Sequence, residues 1–197
     1  MESAGDNFII KAGNHRKKKK DLEAALRRNN PLVFVEKITN RGFNRKIIIQ
    51  DKRIRGSGDF EAPSKVFVDF TCPIDHMRAI ICHEIAHLVL RQPPWHDDAK
   101  IRKILTAHEG YKSKKYGYNF QYLIEQTVVF FIQAAYEDEL GTRALDYKDW
   151  EDTFRRNDVL DAAPVMWRGW LGYRKKARKD IDKWILGELG RHWGRRK

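Results

Sequence analysis

Short apolar runs alternate with charged and turn-forming ones along the first seventy residues. After the charged stretch at 15–20, Leu22, Ala25 and Leu26 recur at helical spacing and predict an amphipathic basic helix over about 15–29. Asn29-Asn30-Pro31 ends it, because the residue before a proline disfavours the helical region. Leu32 to Val35 reads as a short strand, and Asn40-Arg41-Gly42 as a turn. The β-branched run Ile47-Ile48-Ile49 predicts a second, well-buried strand. Arg55 to Asp59 reads as a loop. A third strand follows at Lys65–Phe70, with Val66, Val68 and Phe70 on one face and Phe67 and Asp69 on the other.

The period then changes. Pro73 suits a helix start, the pattern stays apolar over about 74–91, and Pro93-Pro94 stops it. Asp97 or Asp98 could cap a helix carrying Ile101, Ile104 and Leu105. A polar loop at 112–117 precedes a strongly apolar helix over about 119–140. From Asp149 the tail is helical and rich in tryptophan. Trp170, Tyr173, Ala177, Ile181 and Trp184 fall at helical spacing, as for a face packed on the rest of the chain. The prediction is an α+β fold. A small, mostly antiparallel sheet over about 32–70 packs with the two long helices in a domain of residues 1–148, and residues 149–197 form a helical extension packed on it.

The chemistry lies in the first long helix, at Cys82-His83-Glu84-Ile85-Ala86-His87. Residues i and i+4 lie one above the other on a helix, so His83 and His87 can turn ring nitrogens to one ion. Glu84, beside them, can take a proton from a water activated there without ligating the metal itself. Uncharged residues surround the motif from Ala79 to Leu90. Two histidines and a glutamate are costly to bury among them unless partnered. Zn2+ suits two imidazoles and a carboxylate, with a position left open for water. Glu125 is the favoured third ligand, because it interrupts an apolar helical stretch; Glu109, His108 and His96 follow in that order, and Asp97 lies near His96. His76, two turns before His83 and so roughly 10 Å away, is too far to share its ion.

This motif, with a downstream glutamate on a helix, resembles the gluzincin branch of the zincin metallopeptidases. The short core is also similar to the small intracellular peptidases that cleave phage repressors. The likeness spans about residues 32–140, and only the five residues from His83 to His87 are specific to it. It implies a zincin-like fold, an endopeptidase more than an exopeptidase activity, and a protein or peptide substrate. It also implies that a sheet-edge strand runs along the bound peptide; Lys65–Phe70 is expected in that role, with Val66, Phe67 and Val68 meeting substrate. A tyrosine or histidine that steadies the oxyanion would come from Tyr116, Tyr118, Tyr136 or His108. The gluzincin pattern also carries an aspartate four residues after the glutamate; Val129 stands there in this chain.

Composition adds partners. The chain of 197 residues has a net charge of +12. Residues 1–56 carry 15 Lys/Arg against 6 Asp/Glu, and residues 167–197 carry 11 against 3. Such ends attract nucleic acid, whatever the centre does. The rival reading is therefore a nucleic-acid-binding protein with a structural or vestigial metal site, or a protease tethered to nucleic acid. Two cysteines, Cys72 and Cys82, form no disulfide framework. No signal peptide and no membrane-length apolar run is read, so the expected setting is cytoplasmic.

Overall fold

The computed structural model describes residues 7–54, 58–91, 99–142, 147–156, 162–175, 187 and 189–193. The elements run β1 (Phe8–Lys11), α1 (Arg16–Arg28), α2 (Pro31–Thr39), β2 (Ile47–Asp51), β3 (Gly58–Glu61), β4 (Lys65–Val68), α3 (Ile74–Leu90), α4 (Ala99–Ala107), α5 (Phe120–Leu140), α6 (Tyr147–Arg156) and α7 (Ala163–Lys175). The coarse class is α+β. The chain divides into two compact units, Met1–Gln92 with Ile132–Arg143, and Pro93–Phe131 with Ala144–Lys197. The segment Pro93–Phe131 thus groups with the C-terminal helices, whereas a single cut near 148 had been expected.

In the first unit the four strands lie in the order β1-β2-β4-β3. The pairs β1–β2 and β2–β4 are parallel, and β3–β4 is antiparallel. The sheet is therefore mixed, which corrects the expectation of a mostly antiparallel one. The cause lies in the connections: α1 and α2 intervene between β1 and β2, and such a crossover delivers parallel strands. Ile47, Ile49, Val66 and Val68 are fully buried on one face of the sheet. Each such side chain stabilises the fold by roughly 1.5–3 kcal/mol. Helix α3 packs on β3 and β4, and α1 and α2 pack on α3.

Three further expectations change. Leu32 to Val35 is helical, within α2, where the Asn30 side chain accepts hydrogen bonds from the Leu32 and Val33 amides and Pro31 fills the first turn. That cap outweighs the β-propensity of the two valines. Gly58 and Asp59, read as the end of a loop, open strand β3, which runs to Glu61. Lys65–Val68 is an interior strand, not an edge: β2 occupies one side and β3 the other. Its backbone is already committed, and Val66 and Val68 point into the core. The sheet edges are β1 and β3.

The second unit is helical with an aromatic core. The rings of Phe131 and Trp170 meet edge to face at 5.5 Å, as do Phe120 and Trp193, and Phe130 packs on Phe154. Trp170 is 2% exposed, so this tryptophan is core, as its helical spacing predicts. Ala177, Ile181 and Trp184 lie outside the described residues. No helix among the described residues is long and apolar enough to cross a membrane.

Candidate metal centre

Helix α3 is apolar almost all round, as a helix enclosed between a sheet and two other helices must be. Its entrance is tied down: Lys18 Nζ donates to the carbonyls of Thr71 at 2.8 Å and Cys72 at 2.6 Å. Into this apolar helix the sequence sets three polar side chains in five residues, so each must find a partner.

The imidazoles of His83 and His87 face one another, with ring centroids 5.1 Å apart and planes at 67°. Two imidazoles sharing one zinc at about 2.0–2.1 Å, with a tetrahedral angle between them, have centroids about 5 Å apart. The separation of the two rings is compatible with a shared ion. His87 is 2% exposed, and Phe60 of β3 stacks on it at 5.0 Å with planes at 14°. The Arg91 guanidinium lies 4.7 Å from the centre of the Phe60 ring.

His83 is oriented from α5. Its Nδ1 lies 2.9 Å from Gln133 Oε1, while Gln133 Nε2 donates to Glu137 Oε1 at 3.0 Å. Because the buried Glu137 carboxylate takes the amide's N–H, the amide's oxygen is the atom turned to His83. Nδ1 then carries the proton, and Nε2 is the lone-pair nitrogen that a ligand needs. Burial, and then the neighbouring His87, pull the His83 pKa down to about 3, so the ring is neutral.

Glu84 is 6% exposed. Burial, and then the Asp59 carboxylate, push its pKa up to about 8. Strand β3 lies directly on it: a Cβ at Gly58 would come 2.5 Å from Glu84 Oε1 and closer still to Ile80. Only glycine permits that approach.

The structure thus brings His83, Glu84 and His87 together in the first unit. Of the other proposed ligands, Glu125, His108 and Glu109 belong to the second unit. Glu125 is half-buried on the part of α5 that belongs to the second unit. His108, also in the second unit, has Nδ1 3.1 Å from the Ile104 carbonyl of its own helix and stacks on Phe120 at 4.2 Å; Glu109 is exposed. His96 and Asp97 are outside the described residues. Among the described residues, no three or more His, Cys, Asp or Glu side chains are gathered so as to hold an ion. His83 and His87, the first oriented by Gln133, are donors of the kind zinc takes.

Phe67 is half-buried and sits beneath the ammonium groups of Lys52 and Lys65, at 4.7 and 5.7 Å from its ring centre. With β4 interior, the edge next to Glu84 and His87 is β3. Tyr136 donates its hydroxyl to the Asn29 carbonyl and is 2% exposed, which commits it to the core. His76 is exposed, and Cys82 is fully buried, its thiol pushed well up by burial. Sequence reasoning missed Gln133, Glu137, Gly58 and Phe60. The first two carried a legible signal, a polar pair at i and i+4 within an apolar helix. Phe60 and Gly58 carried none, since their role depends on where β3 pairs. Compared with known proteins, the chain matches no family model, no curated protein and no solved structure.

Proposed function

We propose that the chain is a zinc-dependent endopeptidase of the gluzincin type. The observation that carries this reading is the paired imidazoles of His83 and His87 with the Glu84 carboxyl between them in sequence, all on one buried helix. His83 and His87 would hold the metal, and Glu125 is the proposed third ligand. When bound, zinc polarises a carbonyl, lowers the pKa of water and, as a nearby positive charge, draws the Glu84 carboxyl back towards its ionised form.

Glu84 takes the proton of the attacking water and passes it to the leaving amine, so one carboxylate serves first as base and then as acid. Gln133 keeps His83 in the Nδ1–H tautomer throughout, with its own amide fixed by Glu137. Phe60 holds the plane of the His87 ring. The strand lending backbone groups to an extended substrate is assigned to β3, which pairs with β4 on one side and passes over Glu84.

The decisive variant is Glu84→Gln, which keeps shape and removes the base. It should bind zinc like the wild type and lose about 10²–10⁴-fold in the rate of hydrolysis of a fluorescently labelled, denatured protein. Undiminished hydrolysis in that variant would refute the role given to Glu84.

A further inference from the structure

The second unit carries a surface that the metal centre does not use. Between α4 and α5 the chain reads Tyr111-Lys112-Ser113-Lys114-Lys115-Tyr116-Gly117-Tyr118-Asn119, and no acidic residue occurs from 110 to 124. The loop is closed on itself. Ser113 N donates to the Tyr118 carbonyl at 2.9 Å, Tyr118 N donates to Ser113 Oγ at 2.8 Å, and Gly117 N donates to the Ser113 carbonyl. Gly117 takes φ +67°, a region where a side chain would be strained, and Ser113 is buried as the pin of the turn.

This closure pushes the large side chains outward. Tyr116 is 50% exposed and Tyr118 is 37% exposed, both unusual for aromatic rings on a loop with no core to join. They form a short ladder with Tyr122, with centroids 5.5 Å apart for Tyr116–Tyr118 and 4.0 Å for Tyr118–Tyr122. Lys112, Lys114 and Lys115 are exposed along the same loop. Beside it opens a cavity of about 330 Å³, lined by the stacked His108 and Phe120 rings with Lys112, Asn119 and Gln121, and with the exposed Glu109 at its margin.

Exposed rings set in a row, with cations between them and no acid within residues 110–124, match what an unpaired base and its phosphate require: a flat apolar face to stack on and a positive charge alongside. A duplex hides its base faces and gains only from the charges, and an acidic peptide gains nothing from the rings. We propose that the 111–122 loop is a binding site for single-stranded nucleic acid, with bases stacked on Tyr116 and Tyr118, phosphates on Lys112, Lys114 and Lys115, and a base seated in the adjoining cavity. The inference stands independently of the peptidase reading, which concerns residues of the other unit.

The test is fluorescence anisotropy of the full chain with labelled fifteen-nucleotide oligothymidine and oligouridine strands, against a duplex and polyglutamate as competitors. Wild type should bind a single strand more tightly than the duplex, and polyglutamate should compete weakly; the tighter of the two strands tells DNA from RNA. Tyr116→Ala with Tyr118→Ala should weaken binding roughly tenfold or more, while the same pair changed to Phe should retain it, because stacking needs the ring and not the hydroxyl. Changing the three lysines to Gln should lower the slope of log affinity against log salt by about 2. Matching circular dichroism spectra would show that the variants are folded. Absence of single-strand binding, equal affinity for duplex, unchanged affinity in the Tyr→Ala variant, or an unchanged salt slope in the Lys→Gln variant would overturn the proposal, the last two by leaving the binding to the basic ends.

Discussion

Two histidine settings lie in the two units, and they differ in what satisfies the ring. His108, at the end of α4, has its Nδ1 against a carbonyl one turn back in its own helix and lays its face on Phe120. Its polar partner is local and its face is covered by an apolar ring, so it is satisfied as a packing element. His83 sits inside α3 and His87 in its last turn, where the carbonyls one turn back are taken by the helix itself. They turn to each other and to groups from elsewhere, Gln133 for one and Phe60 for the other. What separates the settings is the source of the hydrogen bond: Gln133, from another helix, for His83, and a carbonyl one turn back for His108. By sequence both were candidate ligands, and only the surroundings separate them.

The strongest way to break this comparison is to remove each ring and count metal. His87→Ala should abolish zinc uptake, measured as metal per chain after loading and desalting, while His108→Ala should leave about one zinc per chain. Loss of zinc in both would mean that His108 is itself a ligand.

The next largest effect tests the close approach of β3. Gly58→Ala places a methyl group against Glu84 Oε1 and Ile80, both held in a packed interior. It should cost about 1–3 kcal/mol in urea denaturation, and hydrolysis should fall with it if Glu84 is displaced. The open glycines Gly110 and Gly117 meet nothing within 4 Å, so only their positive φ resists substitution. Equal stability of Gly58→Ala and wild type would show that β3 does not rest on Glu84.

What the sequence told about these two regions follows from how local each signal was. Helices α3 and α5 and strands β2 and β4 are carried by periodicity within one segment, and the structure has them at the expected residues. The motif on α3 was legible for the same reason, because four-residue spacing on a helix fixes which side chains share a face. Strand β3 was not legible: Gly58-Asp59-Phe60-Glu61 has little strand character of its own and is extended because β4 pairs with it. The parallel pairing of β1 with β2 depends on two intervening helices, one of which, α2, had been read as a strand. The identity of the groups supporting His83 depends on how α5 meets α3, which no one-dimensional pattern encodes.

Gln133 sharpens the comparison at smaller scale, because it is the nonlocal partner His108 lacks. Gln133→Leu keeps the bulk and removes the acceptor from His83 Nδ1. Zinc affinity, read by competition with a chromogenic chelator, should fall about 10–100-fold. The helix should stay folded, since leucine is a better helix former than most residues. An unchanged affinity would leave His83 oriented by the helix alone, as His108 is.

The smallest effect concerns how the two helices begin. At the entrance to α3, Asp69 Oδ1 accepts from Thr71 N at 2.8 Å and from the Thr71 hydroxyl. These two bonds, the hydroxyl's first, hold the Asp69 carboxyl below its usual range. At the entrance to α5 the same task falls to Asn119, whose Oδ1 accepts from Tyr122 N at 2.9 Å and cannot titrate. A carboxyl whose folded pKa is lowered adds stability that is fully present above the unfolded value of about 3.9 and is lost as pH falls through the folded value. Asp69→Asn should therefore melt lower than wild type at pH 7, and the gap in melting temperature should close as pH falls below about 4. Asn119→Ala should instead cost about 0.5–2 kcal/mol at every pH in that range. A gap for Asp69→Asn that stays constant down to pH 2 would mean that its charge does not hold the turn, and that α3 and α5 begin by the same neutral means.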